Sequence, residues 1–279
     1  INQAAGQADP TGTSPINFTV VFSAAVTGFA TGDVTLSGTA GATTGTVTGS
    51  GTTYNVAVSG MTGSGTVIAS IAADVAVDGS SNGNQASTST DNTVTYDATP
   101  PSVTIEQAVG QVDPTATSPI NFTVVFNEPV TGFTIGDVVL TGTAGATTVI
   151  LTGSGTTYNV AVSGMTGSGT VVANIPAAAA VDASGNPNLA STSVDNTVTY
   201  DVTPPTVTIN QAVGQADPTG TSPINFTVVF SAAVTGFATG DVTLSGTAGA
   251  TTGTVTGSGT TYNVEVSGMT GSGTVIASI

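Results

Sequence analysis

Apolar and polar side chains alternate along residues 13–22, which read TSPINFTVVF. In an extended chain successive side chains point to opposite faces, so every second residue shares one face. The residues on the apolar face are Ile16, Phe18, Val20 and Phe22. Asn17 and Thr19 fall on the other face, and the segment is rich in residue types that favour strands. The pattern predicts a β-strand with one buried face.

The same ten letters return at residues 117–126 and 221–230, with a period of 104 residues. A fixed long period indicates repeated structural units, and each unit here is long enough to bury its own core. We predict three domains. Their bounds are residues 1–97, which lack a lead-in strand, residues 98–201, which are complete, and residues 202–279, which lack the last strands.

The second repeat consists of short apolar stretches separated by turn-forming residues, without a helical period. The predicted strands are 102–109, 118–126, 130–134, 138–141, 147–152, 156–163, 167–175 and 197–201. We also predict a turn at residues 127–129 and a hairpin across residues 153–155. Seven or eight short strands in roughly 100 residues are typical of a β-sandwich, so we predict an all-β fold of tandem sandwich domains.

Differences between the repeats test which face of a strand is buried. Residues 1–71 and 209–279 differ at two positions, and one of them is Ala57, which becomes Glu265. The apolar face of this strand holds Tyr54, Val56 and Val58. Ala57 lies on the opposite face, and a charge is tolerated there only if the position is in contact with water. The substitution therefore supports the predicted core.

The charge composition excludes several functions. The chain has no Lys, Arg or His, sixteen acidic residues and a formal net charge of −16. Nucleic-acid binding requires basic side chains that neutralise phosphates, and a polybasic contact with anionic lipid requires the same residues. The usual catalytic bases and thiol nucleophiles are also missing, so we predict that the protein is not an enzyme. Cysteine is absent, so no disulfide stabilises a repeat.

The sequence shows no apolar run of the length that a membrane helix needs and no signal peptide. The repeat pattern is already under way at the first residue, so we expect these residues to be a window onto a longer polypeptide. The third repeat lacks a counterpart of residues 176–201. Two interpretations stay open: arbitrary truncation, or a missing strand donated by a neighbouring subunit.

Several motifs recur in the same order along the chain, each of them two or three times. They are DATPP at 97–101 with DVTPP at 201–205, the SPINFTVVF strand, the segment VTGF followed by GDV, and DNTVTYD at 91–97 and 195–201. This order resembles the bacterial Ig-like tandem repeats of very large cell-surface proteins, over essentially the whole chain. The resemblance implies an Ig-like sandwich fold and a role in extracellular stalks, adhesins or filaments.

Calcium is the candidate cofactor, because hard cations prefer carboxylate and carbonyl oxygens. Two loops each offer one Asp and two Asn within seven residues, and one Asp precedes each junction, where the resemblance implies a stiffening metal. The candidate ligands are Asp78, Asn82, Asn84, Asp97, Asp182, Asn186, Asn188 and Asp201. The alternative is ordinary turn chemistry, in which Asp and Asn side chains accept hydrogen bonds from nearby backbone N–H groups.

Three further residues match a modification motif. Asn17, Asn121 and Asn225 each begin the sequence Asn-Phe-Thr, which is an N-glycosylation sequon. They are candidate glycosylation sites on the non-core face of the central strand.

The composition and the resemblance together favour an extracellular, secreted or cell-surface structural protein. Its repeats form either the stalk of an adhesin or a self-assembling filament. The expected partner is the chain itself, through neighbouring repeats and through lateral packing or strand exchange between subunits. The alternative function is an array of carbohydrate-binding, lectin-like modules. Such sites commonly stack sugar rings on aromatic side chains, but Trp is absent and Tyr54, Tyr158 and Tyr262 fall on the predicted buried faces of their strands.

Overall fold

The computed structural model describes all of residues 1–279. The protein is all-β, as predicted, and its strand pairs are antiparallel. The helical elements are two short 3-10 turns, Ile135–Asp137 and Thr239–Asp241. Neither has the length and apolar character that a membrane crossing requires.

The first repeat contains two sheets that share one apolar core. Its strands are β1 (Asn2–Gln3), β2 (Ile16–Thr27), β3 (Val34–Ser37), β4 (Thr44–Ser59), β5 (Gly65–Ile71), β6 (Val77–Asp78) and β7 (Thr93–Tyr96). One sheet has the order β1-β2-β4, with β6 also paired to β2, and the other has the order β3-β5-β7. Buried residues of both sheets form a single cluster, which is a sandwich-like arrangement.

The second repeat has the same two-sheet layout. Its strands are β8 (Val103–Gln107), β9 (Ile120–Val130), β10 (Val139–Thr141), β11 (Thr148–Ser163), β12 (Gly169–Asn174) and β13 (Thr197–Tyr200). The sheets have the orders β8-β9-β11 and β10-β12-β13, and both contribute to a second core cluster. The first strand is longer here than in the first repeat, where β1 starts at Asn2.

Two predicted turns in the second repeat are wrong. The hairpin across residues 153–155 does not form, because β11 runs through these residues and pairs only with β9. Gly153 and Gly155 adopt positive φ angles of 111° and 70°, and the register shifts beside Gly155, so the glycines make a bulge in one bent strand. The turn predicted at 127–129 also lies within a strand, since β9 continues to Val130.

The predicted core faces are confirmed. Ile16, Phe18 and Val20 are at most 2% exposed, and the tyrosine faces of β4 and of the strand Thr252–Ser267 are buried as well. Glu265, on the opposite face of that strand, is exposed. An edge-to-face aromatic triad recurs in each core, with ring centroids 5.1 to 6.0 Å apart. Such pairs add stabilisation beyond area burial.

The third repeat has one sheet of three strands and one of two. Its strands are β14 (Val207–Gln211), β15 (Ile224–Val234), β16 (Thr243–Ser245), β17 (Thr252–Ser267) and β18 (Ile276–Ser278). The sheets have the orders β14-β15-β17 and β16-β18. Its buried cluster is smaller and includes Val228, Tyr262, Val264 and Val266.

The chain separates into two compact units, Ile1–Val202 and Thr203–Ile279. The first unit contains both of the first two repeats. Within it, the backbone N–H of Gly12 in the first repeat donates a 2.7 Å hydrogen bond to the carbonyl of Ser184 in the second. The three-domain division predicted from the sequence stays a prediction.

Candidate metal site

Three carboxylates meet where the first repeat joins the second. Asp97 directly follows β7, Glu128 lies near the end of β9, and Asp182 begins the turn after β12. One carboxylate oxygen from each lies within 4.8 Å of the others. Asp182 is only 4% exposed, and the other two are half-buried. The cluster therefore contains groups from both sides of the junction.

The turn around Asp182 fixes the position of its carboxylate. Oδ1 accepts hydrogen bonds of 2.8 Å from the backbone N–H groups of Ser184 and Asn186. Oδ2 accepts a 2.9 Å bond from the Asn186 side-chain amide. An Asp that accepts bonds from N–H groups two and four residues later is a common turn device, and here it holds the carboxylate still in a buried position.

Asp97 connects the turn of the second repeat to the body of the first. Its Oδ1 accepts hydrogen bonds from the Thr99 N–H at 3.0 Å and the Ser64 hydroxyl at 3.1 Å. Its Oδ2 accepts a 3.3 Å bond from the Ser184 hydroxyl. Its backbone carbonyl accepts a 2.8 Å bond from the Asn186 amide. The junction is thus a polar contact built from uncharged donors and carboxylates.

The pKa values reflect this arrangement. Burial, and then repulsion by Asp182 and Asp97, raises the pKa of Glu128 above its ordinary value. Burial also raises the pKa of Asp97, but the hydrogen bonds from Thr99, Ser64 and Ser184 together outweigh it, so the net pKa is lowered. Burial and the neighbouring charges therefore disfavour the ionised form of Glu128.

The residues present fit a hard divalent cation. The chain has no Lys, Arg or His, so no basic side chain can neutralise the cluster. Calcium binds oxygens at about 2.3–2.6 Å, so two of its ligands lie at most about 5 Å apart. The 4.8 Å limit on the carboxylate separations satisfies this condition. Asp97, Glu128 and Asp182 would hold such an ion, which would neutralise their charges and cross-link the two repeats.

The equivalent loop of the first repeat shows the turn chemistry without a cluster. Asp78 accepts hydrogen bonds from the Ser80 and Asn82 N–H groups and from the Asn82 side chain, which together lower its pKa. Asp78 is not part of a group of three acidic ligands. The Asp78 carboxylate thus makes the hydrogen bonds expected of an ordinary turn, and metal binding by this loop stays a prediction.

Three other predicted ligands make hydrogen bonds within their own repeats, and their role as metal ligands stays a prediction. The Asn188 side chain donates to the carbonyls of Pro176 and Leu189, and its oxygen accepts a 2.7 Å bond from the Ala180 N–H. Asn84 makes the corresponding contacts in the first repeat. Asp201, at the end of the second repeat, accepts a 3.2 Å bond from Ser168. None of the three belongs to the carboxylate cluster.

Glu128 is the candidate ligand that the sequence patterns do not predict. It was predicted to lie in a turn, and nothing in its immediate neighbourhood resembles a metal motif. Alignment of the three repeats singles out this residue, because the equivalent residues are Ala24 and Ala232. An acidic residue that appears in only one of three copies marks a feature specific to that copy.

The sequon asparagines are half-buried on the central strands. The Asn17 oxygen accepts a 3.1 Å bond from the Asn55 amide, and Asn225 makes the same contact with Asn263. The Asn121 amide donates a 3.4 Å bond to the Pro119 carbonyl. Their modification stays a prediction.

Aromatic side chains for sugar stacking are scarce at the surface. Tyr54, Tyr158 and Tyr262 are at most 8% exposed and belong to the aromatic triads. Tyr96 and Tyr200 pack against the core clusters at the ends of β7 and β13. Comparison of the chain with protein-family models and with curated proteins gives no match.

Proposed function

We propose that the protein is an extracellular structural spacer made of tandem Ig-like sandwiches, with calcium stiffening the joint between the first two. The observation that carries the proposal is the position of the carboxylate cluster. It takes Asp97 from the end of one repeat and Glu128 and Asp182 from the next. An ion bound there opposes bending of the joint, because bending would separate its ligands.

The charge composition supports the same role. An absence of basic side chains leaves the 16 acidic residues without side-chain ion pairs, so divalent cations are the available means of neutralising clustered carboxylates. Calcium is abundant outside cells, and weak sites in extracellular modules operate at about 10⁻⁴–10⁻³ M. Secretion or display at a cell surface is part of this proposal.

Calorimetric titration with Ca²⁺ tests the metal site. We expect one junction site per chain and a rise in the unfolding free energy of about 2.7 kcal/mol at a calcium concentration 100-fold above Kd. Asp182→Asn should abolish this binding. Asp78→Asn, the same change in the loop without a cluster, should leave it intact. Equal binding by both variants, or an unchanged melt in the presence of chelator, would contradict the metal site.

The proposed spacer takes one of two forms. It is either an adhesin stalk whose domains are joined only end to end or a filament whose subunits also pack laterally. Low surface charge favours lateral contact between weakly polar strands, and net negative charge opposes it unless cations screen it. Electron microscopy of the native material distinguishes single beaded strings from fibres with a fixed subunit spacing. A glycan array with the purified chain tests the lectin-like alternative, which the buried tyrosines do not support.

A further inference from the structure

The turn within residues 76–84 of the first repeat contains an Asn-Gly pair, Asn82-Gly83, and no other asparagine of the chain precedes a glycine. Asparagine is among the thermolabile residue types, because its side-chain carbonyl carbon can be attacked by the backbone nitrogen of the next residue. Glycine has no side chain to hinder that attack and allows the widest range of backbone angles. The pair is therefore the most reactive asparagine context in the sequence.

The backbone hydrogen bonds of this turn leave the Gly83 nitrogen free. The Asp78 N–H donates a 3.0 Å bond to the Asn82 carbonyl, and the Asn84 N–H donates a 2.9 Å bond to the Ala76 carbonyl. These two bonds lie on either side of Gly83, which belongs to a pair that exchanges no bonds of its own. The Gly83 N–H is thus outside the ladder, so no acceptor in the turn competes for its nitrogen.

The second repeat forms the same turn with a different residue at this point. Its two corresponding ladder bonds measure 3.1 and 3.0 Å. Pro187 takes the place of Gly83, directly after Asn186. A proline nitrogen carries no hydrogen, so it cannot lose a proton and attack the preceding side chain. The turn geometry is common to both repeats, whereas the attacking nitrogen is present only in the first.

Two neighbouring positions differ between the repeats in the same sense. A Cβ on Gly83 would overlap the Asp74 carboxylate, whereas the equivalent residue of the second repeat is Ala178, which has no carboxylate. Ser81 has a φ of 69°, and Gly185 takes the same position with a φ of 85°. A serine in this region is strained and a glycine is not, so the first turn opens more readily.

We infer that Asn82 is a site of spontaneous deamidation and that Pro187 protects Asn186 from the same reaction. The Gly83 nitrogen gives its proton to hydroxide and forms a bond to the side-chain carbonyl carbon of Asn82. The bond from that carbon to the amide nitrogen breaks, and the nitrogen leaves as ammonia with a proton from water. Water then opens the succinimide ring at either carbonyl and gives aspartate or isoaspartate.

The net reaction exchanges water for ammonia, and nothing is oxidised or reduced. It adds one negative charge to the chain and needs no enzyme or cofactor. The inference is independent of the spacer role proposed above.

Protection matters at the second turn because Asn186 is part of the junction. Its amide donates a 2.8 Å bond to the Asp97 carbonyl and a 2.9 Å bond to Asp182 Oδ2. A carboxylate in place of this amide would lose both bonds and add a like charge beside the three carboxylates. Pro187 therefore preserves the contact between the two repeats.

At the first turn the reaction changes an attraction into a repulsion. The Asn82 amide donates a 3.0 Å bond to Asp78 Oδ2, and a carboxylate at position 82 would instead repel it. Isoaspartate also lengthens the backbone of the turn. We expect faster amide hydrogen exchange at residues 76–84 in the modified chain, and equal exchange in the two forms would contradict this effect.

Incubation of the full chain at mildly alkaline pH, followed by mass spectrometry of its peptic fragments, tests the inference. Pepsin is needed because trypsin has no Lys or Arg at which to cut. Asn82 should convert faster than any other asparagine, at a rate proportional to hydroxide concentration, since the attacking nitrogen must lose its proton. A synthetic peptide of residues 79–86 is the reference. An Asn82 that stays intact while this peptide converts fully, or another asparagine that converts faster, overturns the inference.

Two variants locate the reaction. Asn82→Gln keeps a side-chain amide but lengthens it, and the more acidic form should not accumulate over the time in which the wild type converts. Asp74→Ala combined with Gly83→Pro introduces the residues that the second repeat has at 178 and 187, and it should also prevent conversion of Asn82. An acidic form that accumulates at the wild-type rate in either variant contradicts the assigned site.

Discussion

Glu128 distinguishes the first junction, because the first and third repeats carry Ala at this position. Its carboxyl lies beside Asp97 and Asp182, and without a cation the three charges repel one another. With a cation the same carboxyl becomes a ligand. The effect of Glu128 on stability should therefore change sign with calcium.

Replacing Glu128 by Ala tests this reversal with a residue that the fold already accepts at positions 24 and 232. In chelator, Glu128→Ala should raise the melting temperature by roughly 2–4 °C, since relief of a partly exposed like-charge contact contributes about 0.5 kcal/mol. In excess calcium the variant should melt below the wild type. Differential scanning calorimetry in both conditions measures this, and a variant that melts higher in both contradicts a ligand role.

The stability difference between Glu128→Ala and the wild type should depend on pH, and its direction follows from the raised pKa of Glu128. Because the pKa of Glu128 is raised in the folded state, protonation of this carboxyl stabilises the fold, and the benefit is lost as pH rises through the raised value. In chelator, the advantage of Glu128→Ala should be full at pH 7, should shrink as pH falls through the raised pKa of Glu128, and should be lost below the ordinary Glu value of 4.5. In both proteins the lowered pKa of Asp97 stabilises the folded state at neutral pH, and this contribution is lost as pH falls. Thermal melts across pH 3 to 7 check this, and an advantage that grows toward acid pH argues against the assignment.

The turn that follows β12 is the element that joins the two repeats. It places Asn186 against Gly12 of the first repeat, and a Cβ on Gly12 would overlap the Asn186 side-chain oxygen and lie 2.9 Å from the carbonyl of Asp97. The equivalent position of the second repeat is Ala116, and Gly220 in the third has open space around its Cα. In this structure the close approach to Asn186 and Asp97 is made by Gly12 and not by Gly220.

Gly12→Ala should consequently open the contact between the turn and the first repeat. We expect calcium affinity to fall about tenfold, because Asp97 and Asp182 can no longer approach to ligand distance without a shift of the turn. Gly220→Ala is the matched control and should leave both calcium affinity and the melt unchanged. Titration calorimetry on the two variants decides, and equal affinities would show that the close contact has no role in the site.

The buried face of each strand could be predicted from the sequence, whereas the turns and the carboxylate cluster could not. The alternation in β2 and the Ala57-to-Glu265 substitution correctly identify the buried faces, because side chains in a strand point alternately to its two faces. Gly153 and Gly155 were interpreted as a hairpin turn, since a bulge and a turn use the same residue type. Glu128 meets Asp97 only through the contact between two repeats, which no local pattern encodes.

At the scale of the whole molecule, stability is distributed over separate apolar clusters. The first two repeats have independent buried cores, each with its own aromatic triad, and the contact between them is polar. Repeats with separate cores unfold as separate cooperative units, so a spacer built from them yields stepwise under load. This behaviour is the property on which the proposed role depends.

Stretching single molecules of the chain between its two ends tests this claim most directly. We predict two main unfolding events, each releasing about 33–36 nm of extended chain, as expected for roughly 100 residues that extend at about 3.3–3.6 Å per residue. Calcium should raise the force at which the first two repeats separate without changing the length released. A single rupture that releases the entire chain at once would contradict the account.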